Sequence, residues 1–481
     1  MENTKFLYGV AVQGIQSFIF QTNTLKEIVG ASELVESICT DAFNEFGKEK
    51  EKVILEAAGN IKYEFSSKEE CEKAVLEFPK KVMQMAPGIT VSQAVVKYDN
   101  NDFKKAVNDL EKYLQAQRNK QYRSMTLGMN GMLRSRKTGL PAIKFEKPEA
   151  IDAATFAKVN NSKSFKLFKK CFGPSINEKL VTYDIDKITG NNNWIAVVHI
   201  DGNGLGRVVE EVGSSSAELR SFSIDLNKST VAAAQAAYQV ISKKYKFDPD
   251  NIIPIRPIIL GGDDFTVICR ADFAVEYVQA YLREFESETA RKKHKLTACA
   301  GIAFIKSSYP FYYGYNLAES LCNRAKKDAK KFNSKIAPSC LMFHKVQDSF
   351  VEDFEFIVKR ELTPQEKQSF EFGPYYLKEK QGNWTIDNLL EKIKLFDTKE
   401  GNVVKSHLRQ WTSLLFHDPG QAEQKEIRVE SLLADKDLKK LLQEVTKGYY
   451  DNSVDVTKYP VYDMLSLHAV INQKNEEEDK K

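Results

Sequence analysis

The stretch Pro257-Ile-Ile-Leu-Gly-Gly-Asp-Asp-Phe-Thr-Val-Ile-Cys269 decides the fold of this chain. Two apolar runs of strand length flank Gly261-Gly262-Asp263-Asp264, where glycine supplies the positive φ that a tight hairpin needs. The spacing predicts a β-hairpin with a pair of carboxylates at its tip. Upstream, Trp194-Ile-Ala-Val-Val-His-Ile200 is an unbroken apolar run, as expected of a strand covered on both faces. It leads directly into Asp201-Gly202-Asn203-Gly204-Leu205-Gly206.

Helices are predicted over 216–245, over 272–293 with Phe273, Tyr277, Tyr281 and Phe285 on one face, and over 317–331. A strand is predicted over 296–305. The order is β-α-β-β-α-β with one added helix, the split motif whose right-handed crossovers put its helices on one side of the sheet. The first hundred residues repeat that order. In that copy Gln13 is expected at the place of Asp201, and Gly59-Asn60 at the place of the two aspartates, so only one copy carries aspartates at these places.

The fold class expected is α+β, with two ferredoxin-like palm domains (βαββαβ), a helical connector and a helical C-terminal domain. The boundaries expected are 1–100 for the degenerate palm, 101–190 for the connector, 191–335 for the catalytic palm and 336–481 for the C-terminal domain. In the connector, a helix is predicted over 102–122 and a loop over 127–141. In the C-terminal domain, Val404, Leu408, Trp411 and Leu415 form one helical stripe, while Asn472–Lys481 reads as a disordered tail.

Bulk properties narrow the class. Of 481 residues, 42% are hydrophobic and 28% charged, an ordinary globular balance, and a net charge of +4 is too mild to imply nucleic-acid binding by itself. No apolar run approaches the roughly 18 residues that span a bilayer, and Met1-Glu2-Asn3-Thr4-Lys5 lacks a secretory layout. A cytoplasmic protein without membrane contact is expected. Seven cysteines without a C-x-x-C pair fit reduced core thiols, with no zinc.

The chemistry rests on convergence. Asp201 and Asp263 are 62 residues apart in sequence, yet the first strand and the hairpin are neighbours in this topology. Asp201, Asp263 and Asp264 are therefore expected to meet at one sheet edge as catalytic residues and metal ligands. Hard divalent cations, two Mg²⁺ or Mn²⁺ ions about 3.5–4 Å apart, would relieve their repulsion and clamp an in-line phosphoryl transfer. Gly202, Asn203, Gly204, Gly206, Gly261 and Gly262 would let backbone N–H groups approach a triphosphate, and Lys326 and Lys330, one helical turn apart, would reach it as point charges. Each piece alone has a plain reading: Gly-Gly-Asp-Asp is a good turn, and the Lys326–Lys331 run is an ordinary solvated face. Their combination in one unit carries the chemical reading.

Those residues, with Gly14-Ile-Gln-Ser-Phe-Ile-Phe20, Ile28-Val-Gly-Ala-Ser-Glu-Leu-Val35 and Thr297-Ala-Cys-Ala-Gly-Ile-Ala303, resemble the polymerase-like large subunit of type III CRISPR effector complexes, a family related to the GGDEF cyclases. The resemblance runs over residues 6–335. It implies that ATP is joined into a cyclic oligoadenylate or cyclic dinucleotide second messenger for antiviral defence. It also implies that Ser17 and Ser32 contact nucleotide in the first palm, for which helix-start capping is the plain alternative. Partners implied are ATP, other effector-complex subunits with guide RNA, or a second copy of the chain. The stretch Leu133–Ala142 resembles the family's zinc-binding region without its cysteines, and His417-Asp418 lacks the histidine cluster of the family's HD nuclease. The rival functions are a non-catalytic scaffold subunit and a template-dependent polymerase.

Overall fold

A computed structural model of the chain describes residues 4–57, 59–99, 102–120, 129–189, 193–212, 215–245, 252–348, 353–379 and 383–471. The tail expected over 472–481 and residues 121–128 of the expected connector helix and loop lie outside them. The first half contains β1 (Lys5–Gln13), α1 (Ile15–Ile19), α2 (Leu25–Ser37), β2 (Val53–Ala57), β3 (Asn60–Phe65), α3 (Lys68–Met85) and β4 (Thr90–Tyr98). Its sheet has the order β2-β3-β1-β4, with β1 antiparallel to both neighbours. That is the split β-α-β-β-α-β arrangement.

The connector begins with α4 (Phe103–Arg118), whose Phe103, Leu110 and Leu114 pack on Leu7 and Tyr98 of the first sheet. A hairpin of β5 (Ala142–Glu146) and β6 (Glu149–Asp152) follows, then α5 (Ala153–Asn161), α6 (Lys166–Phe172) and α7 (Ile185–Thr189). The hairpin was not expected in a mostly helical connector. Lys158 of α5 is fully buried, and its Nζ donates to the Phe18 carbonyl at 2.7 Å and to Gln21 at 3.0 Å. Burial pushes its pKa down to about 8. It ties the connector to the α1–α2 turn.

The second half runs β7 (Trp194–Asn203), α8 (Leu205–Val212), α9 (Ser216–Lys244), β8 (Ile255–Gly261), β9 (Asp264–Arg270), α10 (Ala274–Arg291), β10 (Thr297–Lys306), α11 (Phe311–Phe332) and β11 (Cys340–Lys345). The sheet order is Tyr375–Tyr376, β11, β10, β7, β9, β8. Its core follows the apolar pattern: β7 is buried along nearly its whole length, and Phe265 of β9 stacks on Tyr281 of α10 at 5.1 Å. Residues beyond 335 are mostly helical, and Val404, Leu408, Trp411 and Leu415 are buried along one helix as the stripe predicts. One difference matters. Cys340–Lys345 is a strand that pairs parallel to β10, and Tyr375–Tyr376 adds beyond it, so the C-terminal region completes the second sheet. Among the described residues, no helix is long and apolar enough to cross a membrane.

Candidate metal and nucleotide site

The site grows from the ends of β7 and the β8–β9 hairpin. Ladder pairs His199–Thr266 and Ile200–Phe265 leave Asp201 one step beyond, beside Asp264, while Gly261 pairs with Asp264 across a two-residue loop. Gly262 has φ +63°, which a side chain would strain, and its carbonyl accepts from the Thr230 hydroxyl of α9 at 2.7 Å. Gly202 faces the hairpin tip: a Cβ there would lie 2.8 Å from the Asp263 Cβ. Gly204, at φ +78°, turns the chain from β7 into α8.

One ligand atom each from His199, Asp201 and Asp264 lies within 4.8 Å of the others. Asp263 stands at the hairpin tip against Gly202, close enough to Asp201 and Asp264 for the three carboxylates to oppose one another's charge. Burial, then the neighbouring Asp264 and Asp201, hold the Asp263 pKa well above the carboxylate range. Burial and Asp201 push Asp264 up to about 7. His199 is buried, bonds Thr266 through Nδ1 at 3.0 Å and is pushed down to about 4, so its imidazole stays neutral at pH 7. Neutral imidazole and crowded carboxylates form a donor set that fits a hard divalent cation and is destabilised without one.

That repulsion gives a pH prediction. The folded-state pKa of Asp264 lies above its usual value of 3.8, so its contribution is favourable at low pH and is lost as pH rises towards about 7. Thermal melts of metal-free protein should therefore drop between pH 5 and pH 8, and Mn²⁺ should restore more stability at pH 8 than at pH 5. Asp264→Asn should flatten both trends.

The other expected residues divide. Lys326 is at the site: its Nζ pairs with Asp201 and donates to the Gly202 carbonyl at 2.9 Å. Burial disfavours its charge, but Asp201 outweighs that and raises its pKa. Lys330 is exposed one turn further on, and Gly204 and Gly206 are exposed beside the carboxylates. Asn203 is buried instead, its amide nitrogen 3.2 Å from both Thr297 and Cys299, so that nitrogen fastens β7 to β10. Ser17 is exposed and donates to the Gly14 carbonyl at 2.9 Å. Ser32 must be corrected: it lies inside α2, buried, with its hydroxyl donated to the Ile28 carbonyl at 2.9 Å, so it caps no helix start and offers almost no exposed surface.

The counterpart of Asp201 in the first sheet is also corrected. There Val10 pairs with Ile61 and Ala11 with Asn60, while Ala57 and Asn60 close the hairpin. Matching Asn60 to Asp264 and Ile61 to Phe265 puts Ala11, not Gln13, at the place of Asp201. Sequence reasoning missed two residues altogether. His199 was signalled as the one polar residue in the apolar run of β7. Glu319, half-buried on α11, was signalled by standing two helical turns before Lys326.

Comparisons with known proteins agree with this architecture. The sequence model described as Cas10/Cmr2, second palm domain, matches residues 194–334. No curated protein matches the chain in sequence. Among solved structures, the Csm1-Csm4 cassette in complex with cA3 is 15% identical with TM-score 0.59, over 98% of this chain and 70% of that one. The cassette in complex with pppApApA is 15% identical with TM-score 0.61, over 98% and 69%. Csm1 in T.onnurineus is 15% identical with TM-score 0.58, over 98% and 70%.

Proposed function

We propose that this chain, whose residues 194–334 match the Cas10/Cmr2 second palm domain, is a nucleotidyltransferase that converts ATP into a cyclic oligoadenylate messenger. The observation that carries this reading is the meeting of Asp201, Asp263 and Asp264 at one sheet edge beside an exposed glycine-lined turn. Gathering charge there serves chemistry, since a scaffold gains nothing from carboxylates that disfavour one another. The solved relatives bound to cA3 and pppApApA support adenine nucleotides as the ligand class.

In the proposed reaction, a ribose hydroxyl oxygen attacks the α-phosphorus of a second ATP, the bond to the β-phosphate oxygen breaks, and pyrophosphate leaves. The attacking oxygen passes its proton to solvent water. Two Mg²⁺ or Mn²⁺ ions, when bound, supply Lewis acidity at the attacking and leaving oxygens. Asp201, Asp263 and Asp264 would hold them, and His199, neutral and fixed by Thr266, would add a nitrogen donor. Lys326 would trade part of its contact with Asp201 for phosphate oxygens, with Lys330 as a second cation. Gly202, Gly204, Gly206, Gly261 and Gly262 would leave room for backbone approach, and Ser17 would meet a nucleotide from the first palm. We place residues 1–100 as a degenerate palm and 191–335 as the catalytic one. The partners proposed are ATP and a Csm4-like subunit of a guide-RNA complex, in the cytoplasm.

Purified protein with ATP and Mn²⁺ should release pyrophosphate and leave a product resistant to phosphatase, whose mass is a whole multiple of the adenylate unit. Mass spectrometry reads this directly. If no nucleotide is consumed with either metal, alone or with target RNA, the protein is a scaffold.

A further inference from the structure

The face of α11 that covers the site carries more than Lys326. Tyr315, Glu319, Cys322 and Lys326 recur at intervals of four, three and four residues, one stripe of a helix. Three of the four contact the end of β7 or its partner strand. The Tyr315 ring stands edge-on to His199 at 5.6 Å, the Cys322 thiol donates to the Cys299 carbonyl at 3.2 Å, and Lys326 pairs with Asp201. Cys299 is itself the ladder partner of Asp201. Glu319, between Tyr315 and Cys322, therefore lies over the His199–Asp201 segment, where its carboxylate and that of Asp201 feel each other.

What fixes Glu319 comes from the other half of the chain. Gln16, in α1 of the first palm, donates its amide nitrogen to the Tyr315 hydroxyl at 2.7 Å, one helical turn from Glu319, and its amide favours the ionised Glu319 carboxylate against burial. Phe20 stacks on Tyr315 at 5.0 Å and Asn23 accepts from the Phe311 N–H at 3.3 Å, so the α1–α2 turn that follows Gln16 is also pinned to the first turns of α11. With all groups ionised, four carboxylates would face a single ammonium, an imbalance that a cation pair relieves and an ordinary buried ion pair does not.

We infer that Glu319 is a fourth acidic group of the metal site and that Gln16, from the degenerate palm, is the residue that positions it. This rests on the proposed function above. Metal affinity then depends on a contact between the two palms.

Mn²⁺ titration of the full-length protein, followed by the electron paramagnetic resonance of the free ion, tests this apart from turnover. Glu319→Gln should weaken Mn²⁺ binding about tenfold or more, with the metal-free melting temperature kept or raised. Glu319→Asp should restore part of the loss. Gln16→Ala should weaken binding less than Glu319→Gln and raise the metal concentration for half-maximal activity more than it lowers the maximal rate. If Glu319→Gln or Gln16→Ala binds Mn²⁺ as tightly as wild type, the inference fails while the metal site stands. If wild type itself does not bind Mn²⁺, or Asp263→Ala with Asp264→Ala binds it equally well, the metal-site reading falls and takes the inference with it.

Discussion

Asp263→Ala combined with Asp264→Ala should cut pyrophosphate release from ATP by roughly a thousandfold or more, the scale at which preorganised charge stabilisation operates at transferring groups. The fold should survive. Both side chains have pKa values raised by burial and by neighbouring carboxylates, Asp264 and Asp201 for Asp263 and Asp201 for Asp264, so each destabilises the native state when ionised at neutral pH. Their removal should therefore raise the melting temperature of metal-free protein while abolishing its rise on adding Mn²⁺. Loss of activity joined to gain of stability separates a functional charge cluster from a structural one. A variant that is both inactive and unfolded at 37 °C would argue instead that the aspartates brace the hairpin.

Gly301→Ala should have the largest effect on folding. A Cβ on Gly301 of β10 would lie 1.9 Å from the Ala318 carbonyl oxygen and 2.5 Å from the Cys322 backbone nitrogen, both on α11. Neither atom belongs to a flexible side chain, so the helix must lift off the sheet. Overpacking of this kind costs about 3 kcal/mol or more. Because α11 also carries Glu319 and Lys326, the residual folded protein should bind Mn²⁺ weakly. Gly206→Ala is the control for stability, since no atom lies within 4 Å of the Cβ it would add. Urea midpoints for the two variants decide the matter: equal values would mean that α11 is not seated as closely as Gly301 permits.

Much of this was legible before any coordinates. The apolar length of β7, the glycines of the hairpin and the aromatic face of α10 each fit one kind of element, and together they admit one topology. The convergence of Asp201 with the hairpin aspartates follows from that topology alone, because adjacent strands must end at the same edge. What stayed hidden was set by register and by distant pairing. Nothing local in Val10-Ala11-Val12-Gln13 marks where β1 aligns with β7, and only the ladder to Asn60 shows that Ala11 takes the place of Asp201. Cys340–Lys345 is six residues long and suits a strand or a helical turn equally, and its parallel pairing with β10 decides. Ser32 sits in a pattern that suits a ligand contact as well as a core helix, and packing of α2 against α5 settles it as core. A Cβ on neighbouring Gly30 would come 1.7 Å from the Lys158 carbonyl oxygen.

The extra strands beside β10 bear on how this protein can be cut. Severing the chain between residues 335 and 340 looks harmless by motif, since every carboxylate of the candidate site lies upstream. Yet the cut would strip Cys340–Lys345 and Tyr375–Tyr376 from the sheet and leave the long, buried, apolar flank of β10 with unpaired N–H and C=O groups. A bare edge of that kind recruits strands from other molecules. The isolated palm would then precipitate or dimerise edge to edge, and the downstream segment acts as the cover that keeps it monodisperse.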